Sequence, residues 1–162
     1  MTRWLVALLA LGLGLLPVCA KTRGLLFGVS DYPGLPPGKA LSAPANDVRR
    51  MQQALAARGV ASADIVVLAD GVENAAGLPT RAAILDRLKQ LAVQAERGDV
   101  IVVYGSGHGS RQKAQLGRKS DGLDQLFLPH DVDLDAAGAF RNAIVSVEFG
   151  EHFDAIRRKG AD

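Results

Sequence analysis

The chain has 162 residues, of which 48% are hydrophobic and 22% charged, a balance that suits one domain with a core of its own. The formal net charge is only +2, and the basic residues are dispersed apart from pairs such as Arg49-Arg50 and Arg157-Arg158, so nothing points to a nucleic-acid partner. A single cysteine, Cys19, excludes an internal disulfide framework and any cysteine-built metal site.

The amino terminus has the form of an export signal. Arg3 supplies a positive start, Trp4 to Leu16 is an uncharged apolar run of 13 residues, and Pro17 interrupts it before Val18-Cys19-Ala20. A bilayer span takes about 20 apolar residues. The expectation is therefore a signal peptide over residues 1–20, cleaved after Ala20, and an exported domain over 21–162 that retains no membrane span and resides in the periplasm or outside the cell. Lipidation at Cys19 is the alternative, although a lipidated cysteine normally follows Gly, Ala or Ser and here follows Val18. Cleavage after Ala20 removes the only cysteine.

Gly24 to Val29 is a continuous apolar run, the pattern of a strand buried on both faces. Ser30 to Gly38 is dense in turn formers, with Asp31, Pro33, Gly34, Pro36, Pro37 and Gly38. A helix is predicted over Pro44 to Arg58, with Val48, Met51 and Leu55 on one face, Ser42 as its cap and Gly59 at the left-handed stop position. Asp64 to Ala69 reads as a second buried strand, and Asp70 to Pro79 as a Gly-rich loop. Thr80 then caps a helix whose buried stripe is Ile84, Leu88, Leu91 and Ala95, ended by Gly98. The third strand, Asp99 to Tyr104, is the most apolar. Strands alternating with helices indicate an α/β fold with a mostly parallel sheet and right-handed crossovers.

Beyond it, Ser110 to Asp121 reads as a polar, mobile segment, and Leu123 to Pro129 as a short strand or extended arm. An Asp-rich loop follows with Asp131, Asp133 and Asp135. A last helix is expected from Ser146 to Lys159, with Phe149, Phe153 and Ile156 sharing a face and Gly160 ending it. Ala161-Asp162 has the look of the threshold of another strand. No internal repeat or low-complexity linker is visible.

The turn Ser106-Gly107-His108-Gly109 is the leading candidate for chemistry. Its histidine stands at the exit of a buried strand, between two glycines that let the backbone turn sharply and a substrate come close. Imidazole is the side chain suited to proton transfer near neutral pH, as a general base or as the activator of a thiol. The Gly109 N–H is placed to meet a developing oxyanion.

Tyr104-Gly-Ser-Gly-His-Gly109 resembles the histidine motif of the caspase-like cysteine peptidases (peptidase C14), especially the metacaspase-type branch. Other pieces follow in family order. Leu25 to Tyr32 is similar to the opening strand and loop, Asn46-Asp47 to the Asn-Asp of the first helix, and Thr80 to Ile84 to the second helix. Gly98 to Val102 is similar to the strand that leads into the histidine, and Ser120 to Asp124 and Leu128 to Asp131 to the Asp-Gly-x-Asp and Pro-x-Asp elements after it. The resemblance spans Gly24 to Asp162 and implies a caspase-like three-layer sandwich.

It also implies roles. A cysteine thiolate would attack the scissile carbonyl of a peptide or protein substrate, with His108 as base and then acid and the Gly109 N–H among the oxyanion donors. In the family the cysteine lies about 50 residues beyond the histidine, on the next strand. The chain is therefore expected to be a fragment that stops before the last strand or strands and the nucleophile, and to be hydrolytically inert by itself. Ser106 is too close to His108 in the chain to replace the cysteine, and Ser110, Ser120 and Ser146 lack a nucleophile-elbow context.

Two readings of Asp47 stand. In the metacaspase branch acids near this position help line a pocket for a basic P1 side chain, and a carboxylate pairs well with Arg or Lys; alternatively Asp47 simply favours the positive end of its helix. No cofactor is expected. Asp121, Asp124, Asp131, Asp133 and Asp135 offer hard ligands of the kind Ca²⁺ takes, as in some metacaspases, but without EF-hand spacing, and they read first as solvated loop acids. His108 and His130 lack the compact spacing of a zinc motif, and His152 reads as a surface residue. Against the peptidase stands a second class of function, a non-catalytic caspase-like domain that binds peptides or partner proteins.

Overall fold

A computed structural model describes residues 20–113 and 122–162. The first strand, β1 (Thr22–Gly28), is followed by helix α1 (Pro44–Ala57), a single 3₁₀ turn at Ser62–Asp64 and strand β2 (Ile65–Ala69). Helix α2 (Arg81–Gln94) leads to β3 (Val100–Ser106), and the short strands β4 (Gly109–Lys113), β5 (Leu123–Phe127), β6 (Asp133–Leu134), β7 (Phe140–Arg141) and β8 (Ile144–Val145) precede the last helix, α3 (Ser146–Arg158). No helix among the described residues is long and apolar enough to cross a membrane.

The central sheet is parallel, in the order β2-β1-β3, with Leu26 of β1 opposite Val67 on one side and Tyr104 on the other. Side chains alternate between its two faces. Leu25 and Phe27 pack with Ile84, Leu88 and Leu91 of α2 and with Ile156 of α3. Leu26 points the other way, onto Val48 and Leu55 of α1. The result is three layers, with α1 on one face of the sheet and α2 and α3 on the other. From Gly24 onward β1 is apolar and buried, as a central strand under two helical layers requires. A second sheet, β4-β5-β8, is antiparallel, and β6 and β7 form a separate pair.

Most of the helix stripes read from the sequence are buried: Val48 and Leu55 in α1, with Met51 partly buried between them, and Ile84, Leu88 and Leu91 in α2, with Ala95 just past its end. Thr80 caps α2 through Oγ1, which accepts the Ala83 N–H at 3.3 Å. The start of α1 differs from expectation. Ser42 is not the cap; Ala43 occupies that position without a side-chain bond, and Pro44 opens the helix, where a residue lacking an N–H costs no hydrogen bond. Helix α2 ends at Gln94, earlier than Gly98, which instead turns the chain into β3 with φ +86°. Gly59 and Gly160 do take left-handed conformations directly after α1 and α3.

Two further expectations are corrected. The segment after His108 is no loose loop at its start, because β4 pairs with β5 in register, Ser110 opposite Leu126; residues 114–121 lie outside the described residues. The Asp-rich loop contains β6, whose Asp133 stands opposite Arg141. Strand β3 is also less buried than its composition suggests, with Val100 44% exposed. On its outer side only the end of the chain accompanies it among the described residues: Asp162 donates its N–H to Asp99 O at 2.9 Å and Ile101 donates to Asp162 O at 2.6 Å. That is a parallel rung, the strand threshold read from Ala161-Asp162.

Candidate active site

Three parallel strands end at one edge of the sheet, and loops that leave such an edge are where open α/β folds bind ligands. Here the β1 loop, the exit of β3 and the β4 turn converge. Val29 donates its N–H to Ser106 O at 2.9 Å, tying the first two together.

His108 is half-buried and held from two sides. Its backbone N–H donates to the Tyr32 hydroxyl at 2.6 Å, and the Tyr32 ring lies against the imidazole with centroids 4.8 Å apart. Its Nε2 is 2.8 Å from Lys39 O. A carbonyl oxygen can only accept, so this contact places the ring proton on Nε2 and leaves Nδ1 as the acceptor nitrogen. Tyr32 is 4% exposed, and burial pushes its hydroxyl pKa up. The bond from the His108 N–H works against that rise, and the charge of Asp70 adds to it.

The two glycines before His108 are spatial requirements. A side chain at Gly107 would meet the Tyr32 hydroxyl at 2.9 Å, and one at Gly105 would meet the Phe27 ring, with Cζ at 2.7 Å. Gly109 begins β4 opposite Phe127. Leu128 donates its N–H to His108 O at 3.0 Å, so residues 108 and 128 occupy a hydrogen-bonded ladder position. The Gly109 N–H, one residue on, is directed away from β5. A cleft of ≈ 350 Å³ opens between His108, Gly109 and Ser110 on one side and Leu35, Pro36 and Lys39 on the other.

Asp47 lies in the first turn of α1, and its Oδ2 accepts the Ser106 hydroxyl at 2.9 Å. The structure thus brings Asp47 to the last residue of β3, two residues upstream of His108. Asp47 does not line the His108 cleft itself. Ser106 spends its hydroxyl proton on this carboxylate.

Three contributors were not singled out from the sequence. Tyr32 and the Lys39 carbonyl, which position His108, sit in a loop whose path composition does not reveal. Asp70, at the carboxyl end of β2, accepts the Ser30 and Asp31 N–H groups at 2.7 and 2.5 Å and so shapes the start of that loop. An acid directly after an apolar strand was the available signal. His130 stands next to it, with Nδ1 3.0 Å from Asp31 O and 3.5 Å from Asp70 Oδ2.

The remaining candidates are dispersed. Asp131 accepts the Arg81 N–H at 2.8 Å, a second cap for α2, and Asp133 pairs with Arg141 at 2.6 Å. Asp135 binds the Ala137 and Ala139 N–H groups, both at 2.9 Å. Asp124 stands on β5 and has a partner of its own, and Asp121 lies outside the described residues. Ca²⁺ takes six to eight oxygens, and among the described residues no three acids or histidines gather to begin such a shell. His152 is half-buried on α3.

A family model described as the metacaspase, peptidase C14 domain matches residues 22–147. Metacaspase-4 and Metacaspase-7 of Arabidopsis thaliana are 38% and 37% identical to this chain over 131 and 130 residues, covering 79% of it but 30% and 31% of their own length. Metacaspase-1 of Mycosarcoma maydis is 35% identical over 111 residues, 68% of this chain and 27% of that one. The chain spans about a third of the length of these relatives. A solved protein of Geobacter sulfurreducens shares the fold with a TM-score of 0.61 at 20% identity, over 83% of this chain and 45% of that one. With the family model covering most of the chain and the relatives agreeing, the protein belongs to the metacaspase family of peptidase C14 domains.

Proposed function

We propose that this chain is the histidine-bearing part of an exported cysteine endopeptidase, with His108 as general base and acid and the Gly109 N–H as an oxyanion donor. The observation that carries the reading is the imidazole's setting. Lys39 O holds Nε2–H, Tyr32 fixes the backbone, and Nδ1 is left as the nitrogen that can take a thiol proton. In the reaction the cysteine proton passes to Nδ1 and the thiolate adds to the scissile carbonyl carbon. Negative charge collects on the carbonyl oxygen, where a backbone N–H such as that of Gly109 stabilises it. As the C–N bond breaks, Nδ1 returns the proton to the leaving amine, and the resulting thioester is hydrolysed with the same histidine activating water. None of these steps calls on a metal or other cofactor, and the substrate is a peptide or protein.

Asp47 is assigned to the recognition of a basic P1 side chain. The Ser106 hydroxyl engages one carboxylate oxygen, which orients the group and leaves the other for an Arg or Lys of the substrate. Its place in the first helical turn serves the helix end as well.

Residues 21–162 contain no cysteine, so the nucleophile is assigned to a cysteine outside them, and this chain alone is expected to be silent. The second reading is a peptide-binding domain without catalysis, since the fold by itself does not guarantee activity. Reading the coding sequence past Asp162 separates the two. An apolar strand ending in Asp-x-Cys, with peptide turnover that His108→Ala abolishes, supports the peptidase. A stop codon directly after Asp162, or turnover by the 162-residue chain itself, overturns the assignment. Export follows from the leader-like residues 1–20, and secretion of the intact chain by a bacterial host tests it.

A further inference from the structure

Among the described residues, Asp99 is the buried charged side chain, 1% exposed at the entry of β3. Its Oδ2 accepts the Glu96 N–H at 3.0 Å and the Arg23 guanidinium. Its Oδ1 accepts the backbone N–H of Lys21 at 2.8 Å. Burial by itself would raise the carboxyl pKa, yet the bonds from Lys21, Glu96 and Arg23 together hold it below the ordinary value. Asp99 is thus an anion in a dry place, and no step assigned to His108 uses it.

Lys21 is the residue that the expected signal-peptidase cut would leave first. Its backbone is fixed at both ends, because Val100 donates its N–H to Lys21 O at 2.8 Å while the Lys21 nitrogen meets Asp99. Thr22 and Val100 then begin the β1–β3 register. The nitrogen cannot leave Asp99 without loosening the first rung between those strands.

We propose that Asp99 is the receptor for the mature amino terminus: removal of residues 1–20 turns the Lys21 amide at Oδ1 into an α-ammonium that forms an ion pair with the buried Asp99 carboxylate. The proposal rests on the export reading above. Hydrolysis adds OH to the Ala20 carbonyl and H to the Lys21 nitrogen, and the freed amine takes a proton from solvent. One neutral donor becomes a charged group with three N–H bonds, facing a carboxylate already turned toward it. The ionisable surroundings are few. Arg23 shares Asp99 from β1, Arg58 and Asp64 line the groove beside Lys21, and Glu96 and Asp162 bond Asp99 through their backbone. Processing thereby strengthens the first rung of the central sheet, and the chain reaches full stability only after the leader is gone.

The test exports the full chain from a bacterial host, reads its amino terminus by mass spectrometry and follows the rate of N-terminal acylation against pH. An ordinary α-amino group titrates near ~7.7–8.0. The expected product starts at Lys21 and titrates higher, with acylation at pH 7 slowed about tenfold, the equivalent of one unit. Inserting Val between Ala20 and Lys21 moves the charge out by one residue, ~3.5 Å, and should restore the ordinary rate while Asp99 keeps its Arg23 and Glu96 partners. Asp99→Asn should do the same, and the insertion carries the test if that variant does not fold. A start at lipidated Cys19, or anywhere but Lys21, overturns the export reading and the proposal with it. A Lys21 start that acylates at the same rate as the insertion variant overturns the receptor alone.

Discussion

Replacing Gly105 with alanine tests the packing that places the His108 turn. The new methyl carbon would stand 2.7 Å from Phe27 Cζ, whereas carbon atoms rest about 3.5–4.0 Å apart, so ring or strand must yield by roughly 1 Å. Phe27 has little room to yield. It is 3% exposed, meets the Phe127 ring edge-on at 5.1 Å and lies parallel to Phe149 at 6.2 Å. Overpacking of this kind costs about 1–3 kcal/mol, which for a chain of this size lowers the melting temperature by about 2–4 °C per kcal/mol. Urea unfolding of the four proteins of a Gly105→Ala, Phe27→Leu cycle measures it, with unchanged slopes showing that only stability moved. In the Phe27→Leu background the ring is gone and the alanine should cost less than about 0.5 kcal/mol, a coupling typical of residues in contact. Equal penalties in both backgrounds would refute the reasoning, as would a loss below about 0.5 kcal/mol in the parent.

Tyr32→Phe removes the acceptor of the half-buried His108 N–H and should cost about 1 kcal/mol, the net contribution of a typical hydrogen bond; faster amide exchange at His108, with β3 protected, is the local sign, and unchanged exchange would remove Tyr32 from its positioning role. Asp99 has a folded-state pKa below its unfolded value of ~3.9, so its contribution is complete above that value and is lost as pH falls through the lower folded one. Urea midpoints measured from pH 6 to pH 2 should therefore fall more steeply in the parent than in Asp99→Asn, and parallel curves would count against the linkage. Asp47→Asn keeps an acceptor for Ser106 but removes the charge, so binding of an arginine-ended peptide should weaken about tenfold or more if Asp47 recognises P1, the size of one hydrogen bond to a charged group. Titration calorimetry that finds equal affinity in parent and variant would leave Asp47 with its helix-end role only.

Much of the architecture was legible in the order of residues. The three apolar runs became the parallel strands, because a strand covered by helices on both faces must be apolar at nearly every position. The stripes of α1 and α2 followed from their 3.6-residue period, and Thr80 from its oxygen. Ser42 misled because Pro44 competes for the helix start, and β4 was overlooked because Ser110-Arg-Gln-Lys113 lacks an apolar face. Its pairing is supplied by β5, a partner ten or more residues away.

The site divides along the same line. His108 and its glycines announce themselves by spacing, and the ordered motifs around them carry the family. The partners that give the histidine its tautomer and its place are not motifs: a backbone carbonyl at Lys39, a hydroxyl at Tyr32 and the Asp70 carboxylate that bends the loop bearing both. Composition and period decide what can be buried, since burial is a property of each side chain. Which lone pair faces which proton is decided only when residues tens of positions apart are brought within 3 Å, and that geometry belongs to the folded chain.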